Sequence, residues 1–312
     1  MPDINIPDTM KAVRLHQPGE VDDISYDEVP TPTAGPGEAL VQVHAAAITR
    51  DELTWSTGRL PAIPSYELSG IVVALGGEAT GFEPGHEVYG MTGFDRDGVA
   101  AEYAAVPIRE LSSKPKKLTH VEAAAVPLPA LSAMQGLFDH GRLAKNERVL
   151  IHGGGGGVGV YAVQLARLRG AYVIATASGS RVGLARALGA DEMIDHTSTD
   201  FTTIEPVDLV FDTAGGNRLE RSVGVLGRGG RLVSVADDPP EATSEDGVEA
   251  RWFLVGSNQD QLAELSKLAD AGALRVSVER TYPLRDARDA FAYLMEQGGT
   301  GKVVLTVIEE QT

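Results

Sequence analysis

The sequence predicts an α/β protein, a doubly wound parallel sheet accompanied by a smaller β-barrel domain, and three observations carry that prediction. Residues 148 to about 256 alternate apolar strand-like runs with helical stretches, the pattern of a parallel sheet with crossover helices. The first ~125 residues instead hold short apolar runs separated by Gly and Pro, as small barrels do. Between a short apolar run and an amphipathic one lie five consecutive glycines, Gly153 to Gly157.

In the N-terminal part the expected strands are 39–45, 70–75, 87–90 and 100–104. A helix should open at Thr119, because Glu122 completes a capping box with it. Pro127 and Pro129 should end that helix and start another over roughly 130–138. The sheet strands are expected at 148–152, 172–177, 193–195, 208–212, 231–235 and 251–255, with helices at 158–169, 181–189 and 217–226. After residue 257 a helix (259–271), a strand near 276–282, a helix (284–297) and a strand (302–307) do not continue the alternation. They are assigned back to the first domain, giving a barrel domain of 1–127, a nucleotide domain of 128–257 and a return segment of 258–312. The acidic stretch 237–249 has two prolines and no periodicity; it reads as a solvated loop, with a lid as the alternative.

Bulk properties narrow the function classes. At 312 residues the chain exceeds the size at which one core stops growing, so two domains are expected. A net charge of −17 argues against nucleic-acid and anionic-membrane partners, since both would repel the surface. No apolar run reaches the ~20 residues a membrane span requires, and the start of the chain lacks a basic-then-apolar signal, so a cytoplasmic location is expected. With no cysteine in the chain, disulfides, thiolate nucleophiles and cysteine-ligated metals are excluded.

The glycine run has a linker reading and a binding-loop reading. Its neighbours favour the second. Gly154, Gly156 and Gly159 satisfy G-x-G-x-x-G, with Gly157 and Val158 between the last two, at a strand-to-helix junction. Val158, Tyr161, Ala162, Leu165 and Ala166 follow with the spacing of a helix buried on one face, and Gly170 stops it before the next strand. Such a loop binds a dinucleotide: its glycines make the tight turn, admit the pyrophosphate and let helix and strand pack closely. Dinucleotides with an unmodified ribose diol usually meet an acidic residue at the end of the second strand. Here that place reads Ala177-Ser178-Gly179-Ser180-Arg181. Ser178 and Ser180 can donate to a 2′-phosphate and Arg181 can pair with it, so the expected cofactor is NADPH.

The chain also resembles the medium-chain dehydrogenase/reductase superfamily, in its zinc-free quinone-oxidoreductase-like (zeta-crystallin-like) branch. The resemblance runs from Met10 onward and rests on ordered segments, among them 36–41, 43–46, 70–72, 88–90, 122–125, the glycine loop, 188–191, 212–216, 229–233 and 301–305. It implies a GroES-like barrel beside a Rossmann domain, a cofactor in the cleft between them, and hydride transfer. Zinc-dependent members hold their metal through cysteine and a Gly-His-Glu segment. Here that segment is Ser65-Tyr66-Glu67, which leaves zinc without soft or imidazole ligands. The implied acceptors are then quinones and α,β-unsaturated carbonyls (enones and enals), whose own electron deficiency takes up hydride.

The same resemblance supplies candidate roles. Thr49 and Glu52 stand where relatives place an asparagine and an aspartate near the nicotinamide, and Ser132 where a hydroxyl touches the cofactor. Val235 and Phe253-Leu254-Val255 should flank the carboxamide, and His196 occupies the place of a tyrosine that touches the 2′-phosphate. Ser132 as a helix cap and Phe253 as a core aromatic are the plainer readings. Trp55 and Tyr66 are expected to line the pocket, with Tyr66 as the candidate proton donor. The apolar strand 251–255 would be an exposed sheet edge in a monomer, so a homodimer is expected. A non-catalytic NADPH-binding protein, structural or redox-sensing, and a zinc alcohol dehydrogenase are the competing readings.

Overall fold

An antiparallel hairpin not expected from the sequence begins the fold: β1 (Thr9–Leu15) pairs with β2 (Ile24–Pro30) over their whole length. The computed structural model describes residues 6–55, 59–240, 247–297 and 300–308. The chain divides into two compact units, one of Met1–Leu128 with Ser257–Thr312 and the other of Pro129–Gly256.

The first unit is organised around β3 (Glu38–Ile48), a long strand rich in Ala and Val. On one edge it pairs with β4 (Glu67–Leu75), which continues to β5 (Glu87–Met91). Its other edge is shared: the first half takes β6 (Tyr103–Pro107) and the second half β15 (Lys302–Thr306). The expected strand 100–104 is thus displaced toward the C-terminus. β7 (Leu111–Ser113) pairs β5, and β14 (Val278–Pro283) lies parallel to β15. Helix α1 (His120–Ala124) carries the expected capping box, Thr119 and Glu122 satisfying each other's backbone N–H. α2 (Pro127–Met134) starts at Pro127, where a missing N–H costs nothing, so its first proline opens the helix. α6 (Gln259–Asp270) and α7 (Ala287–Gln297) complete the unit, α7 burying Ala290, Phe291 and Leu294 in the same core as Val41, Val43, Leu68 and Val303.

The second unit holds β8 (Arg148–His152), α3 (Gly159–Arg169), β9 (Tyr172–Ala177), α4 (Ser180–Ala187), β10 (Glu192–Asp195), β11 (Val207–Asp212), α5 (Arg218–Ser222), β12 (Leu226–Ser234) and β13 (Glu249–Trp252). Its six strands run in the order β10-β9-β8-β11-β12-β13, every pairing parallel. This is the doubly wound arrangement, with its reversal of strand order at β8. α3 is buried from Gly159 through Ala166, more completely than a one-sided stripe, because Val160 and Val163 are enclosed as well.

Two expectations in this unit need correction. The helix read at 217–226 is α-helical to Ser222 and tightens to a 3₁₀ turn over Val223–Val225, and β12 begins directly after it at Leu226, earlier than the expected 231. The edge strand covers 249–252 in place of 251–255, and Phe253, Leu254 and Val255 lie beyond it. Glu249 and Arg251 make that edge more polar than expected; its exposed apolar groups are Trp252 (42%) and Leu254 (62%). Residues 241–246 of the acidic stretch lie outside the described residues, so the loop and lid readings are not assessed there. Among the described residues no helix is long and apolar enough to cross a membrane.

Candidate active site

The glycine loop follows β8, at the carboxyl end of the strand where the sheet order reverses. Gly153 adopts φ +75°, the left-handed conformation that turns the chain out of β8. A Cβ on Gly159 would lie 2.0 Å from the carbonyl oxygen of Gly153, so the start of α3 can approach β8 only as glycine. At Gly154 a Cβ would meet the methyl of Ala175 at 2.7 Å, and at Gly155 it would meet Cβ of Arg181 at 2.5 Å. Gly157, by contrast, faces open space. The glycines therefore serve a tight turn and close packing, and Gly157 leaves its backbone uncrowded. Val158 precedes α3 as its N-cap.

Two strands bring the expected phosphate-binding residues together. Ser178, Gly179 and Ser180 follow β9, Arg181 lies in the first turn of α4 against the glycine loop, and His196 follows β10, its N–H donating to the Ala177 carbonyl. A cavity of about 420 Å³ adjoins His196 and is also lined by Asn217, Arg218 and Arg221. The two arginines were not singled out in the sequence, because their proximity arises from the turn after β11. Arg221 is ion-paired with Asp200, which lines the same cavity, while Arg218 donates to the Gly215 carbonyl.

Beneath the loop sits a buried histidine that sequence reasoning passed over. His152 Nδ1 lies 3.2 Å from Thr176 Oγ1, and Nε2 2.9 Å from Ser222 Oγ. Ser222 gives its proton to the Arg218 carbonyl at 2.7 Å, so it accepts from Nε2–H, and Nδ1 accepts from Thr176. Thr176 Oγ1 in turn accepts the Gly153 N–H at 3.2 Å. Burial, followed by the nearby Arg218 charge, pushes the imidazole down to about 3 and keeps it neutral. The chain of hydrogen bonds thus links the loop to β9 and α5. Asp212 does similar work for the turn after β11, accepting from Gly215 N–H and Ser234 Oγ at 3.0 Å.

The first unit holds the other half of the expected residues. Thr49 follows β3, and its Oγ1 accepts from the Lys302 ammonium at 2.9 Å. Lys302, from the start of β15, also forms a direct ion pair with Glu67, from the start of β4; their side chains are 7% and 1% exposed. Glu67 additionally accepts the Leu128 N–H at 3.0 Å. Glu52 is turned inward and accepts the N–H groups of Thr49 (3.1 Å) and Ser65 (3.2 Å). It braces the Thr49 loop, a different task from the direct cofactor contact expected of it. Burial pushes Glu52 up to about 8, against the Lys302 charge and its N–H donors. Tyr66 packs beside Phe94 and Trp55, with ring centroids 5.0 and 5.9 Å away. Burial and the Glu52 charge hold its phenol up at about 12, so it serves better as a hydrogen-bond donor than as an acid.

The remaining candidates lie in the second unit. Ser132 is in the body of α2, so capping is not its task. Val235 continues from β12, its N–H donating to the Asp212 carbonyl at 3.1 Å. Phe253 stacks on His140 with centroids 4.3 Å apart, as its plainer reading held, and Val255 is buried; Leu254 is exposed.

Glu52 gives the site a pH signature. The folded carboxyl binds its proton more tightly than an unfolded one, so its contribution to stability is full below the ordinary glutamate range and is lost as pH rises toward 8. Glu52→Gln should flatten the decline of unfolding free energy between pH 5 and 8, measured by urea titration. Parallel native and variant curves would contradict this assignment.

Residues 35–116 match the alcohol dehydrogenase GroES-like domain, and residues 188–305 match the zinc-binding dehydrogenase domain. The chain is 32% identical to the 2-methylene-furan-3-one reductase of Solanum lycopersicum, over 97% of this chain and 80% of that one. It is also 32% identical to the chloroplastic NADPH-dependent alkenal/one oxidoreductase of Arabidopsis thaliana, over 97% and 81%. Among solved structures, the quinone oxidoreductase of Coxiella burnetii superposes with a TM-score of 0.88 at 31% identity, covering 96% of this chain and all of that one. With the parallel sheet, the glycine loop and the barrel strands already in place, the chain belongs to the medium-chain dehydrogenase/reductase superfamily, as a quinone-oxidoreductase-like member.

Proposed function

We propose that this protein is a zinc-independent, NADPH-dependent reductase that delivers hydride to a quinone or an α,β-unsaturated carbonyl. One observation carries the zinc-free part: Tyr66 stands where zinc-dependent members have the histidine of their Gly-His-Glu segment, and the adjacent Glu67 is already paired with the Lys302 ammonium. A second cation there would face direct repulsion, and the neighbouring Tyr66 offers a phenol in place of imidazole. Among the described residues no group of three or more His, Cys, Asp or Glu side chains has the arrangement of a metal site. The donor set does not suit zinc.

NADPH fits the residues present. Gly154, Gly156, Gly157, Val158 and Gly159 would receive the pyrophosphate, and Ser178, Ser180, Arg181 and His196 the 2′-phosphate. Ser132, Val235, Phe253, Leu254 and Val255 are the proposed contacts along the rest of the cofactor. Bound NADPH supplies the hydride. Without a Lewis acid, the protein's part is to orient the acceptor and satisfy the charge that develops on its oxygen. Tyr66 and Thr49 are the proposed catalytic hydroxyls, Tyr66 donating a hydrogen bond to the acceptor oxygen. The names of the tomato, Arabidopsis and Coxiella relatives support this class of acceptor.

The direct test is NADPH oxidation by chelator-treated protein against a panel of quinones, enones and simple ketones. Turnover confined to the first two groups, unchanged by chelation, is expected; cofactor binding with no turnover, or turnover abolished by chelation, would overturn the reading. The cofactor assignment has its own check. Arg181→Ala should weaken NADPH binding by roughly tenfold or more, the loss of a charge-assisted hydrogen bond, and leave NADH binding unchanged. Equal NADPH affinity before and after substitution would remove Arg181 from the phosphate site.

A further inference from the structure

The buried side chains around Thr49 identify a source for the proton that must accompany the hydride. Lys302 reaches two groups, Glu67 and Thr49 Oγ1, and it is almost wholly enclosed. A hydroxyl that accepts from an ammonium has its own proton turned elsewhere and polarised for donation. Thr49 itself is only half-buried, so its hydroxyl is the member of this chain within reach of a bound molecule. Its position is fixed by the backbone, since Glu52 holds the Thr49 N–H.

We propose that Thr49 protonates the α-carbon of the reduced acceptor, and that Lys302, held by Glu67, is the positioning residue that replaces the proton. The inference rests on the enone-reductase reading. Hydride adds to the β-carbon of the acceptor, and the π pair of the C=C bond moves to give an enolate. The α-carbon then takes the proton from Thr49 Oγ1, a C–H bond forming as the O–H bond breaks. Lys302 Nζ passes a proton to Oγ1, and the resulting amine is recharged from water. In total the acceptor gains one hydride and one proton, and NADPH is oxidised to NADP⁺.

Facial selectivity reads this step directly. With 2-methylcyclohex-2-enone the native protein should give one enantiomer of the saturated ketone in excess, because a fixed hydroxyl protonates one face. Thr49→Val keeps the ion pair and the side-chain volume. It should lower kcat roughly a hundredfold and collapse the enantiomeric excess as water protonates both faces. KM should change by less than about threefold. Thr49→Ser should restore both. Lys302→Met paired with Glu67→Gln avoids leaving a buried carboxylate unpartnered, and it should reproduce the loss of rate and selectivity. Native kcat and native enantiomeric excess in Thr49→Val would overturn the inference while leaving the reductase reading intact. No reduction of any enone by the native protein would overturn both.

Discussion

A buried ammonium set against a buried carboxylate is the constraint on which the candidate residues of the barrel unit depend. Lys302 and Glu67 begin strands β15 and β4, which flank β3 on opposite edges, so their pairing ties both edges of the central strand at one end. Removing either partner alone would leave an uncompensated charge in the interior, a loss of roughly 3–5 kcal/mol. The pair also settles the chemistry of its surroundings. Lys302 also donates to Thr49 Oγ1, so the ion pair and the Thr49 hydroxyl form one hydrogen-bonded chain.

The nucleotide half relies on neutral hydrogen bonding and close backbone packing. His152 remains uncharged because protonating it would cost its burial, and in that state it can accept from Thr176 and donate to Ser222 at once. Through Thr176 it fixes Gly153, whose carbonyl is in turn the atom that forbids any side chain at Gly159. The glycine motif and the histidine before it therefore act as one device. Support from below holds Gly153 in place, while Gly156 and Gly157 remain half-buried.

The two halves differ in how far they could be read from sequence. The glycine loop was legible because its requirements are local: a positive φ, a close strand-to-helix approach and bare backbone fall at fixed offsets along the chain. The placement of Arg181 against the loop was legible for the same reason, since it lies a fixed distance beyond it. Thr49, Glu52 and Tyr66 were identified through the family resemblance, but their chemistry was not. That chemistry depends on Lys302, which arrives from the far end of the chain and had been read only as the start of a last strand. The hairpin of β1 and β2 was missed because Lys11, Arg14, Asp27 and Glu28 interrupt its apolar positions. The edge strand was placed too late because Phe253 and Val255 look like strand interior, yet Phe253 is buried by stacking on His140 beyond the ladder.

Zinc-edge anomalous diffraction from crystals grown with both zinc and NADPH tests the central claim most directly. The account predicts the 2′-phosphate within hydrogen-bonding distance of Arg181 and no anomalous peak at Glu67. A zinc ion bound by Glu67, with Lys302 displaced from it, would contradict the account.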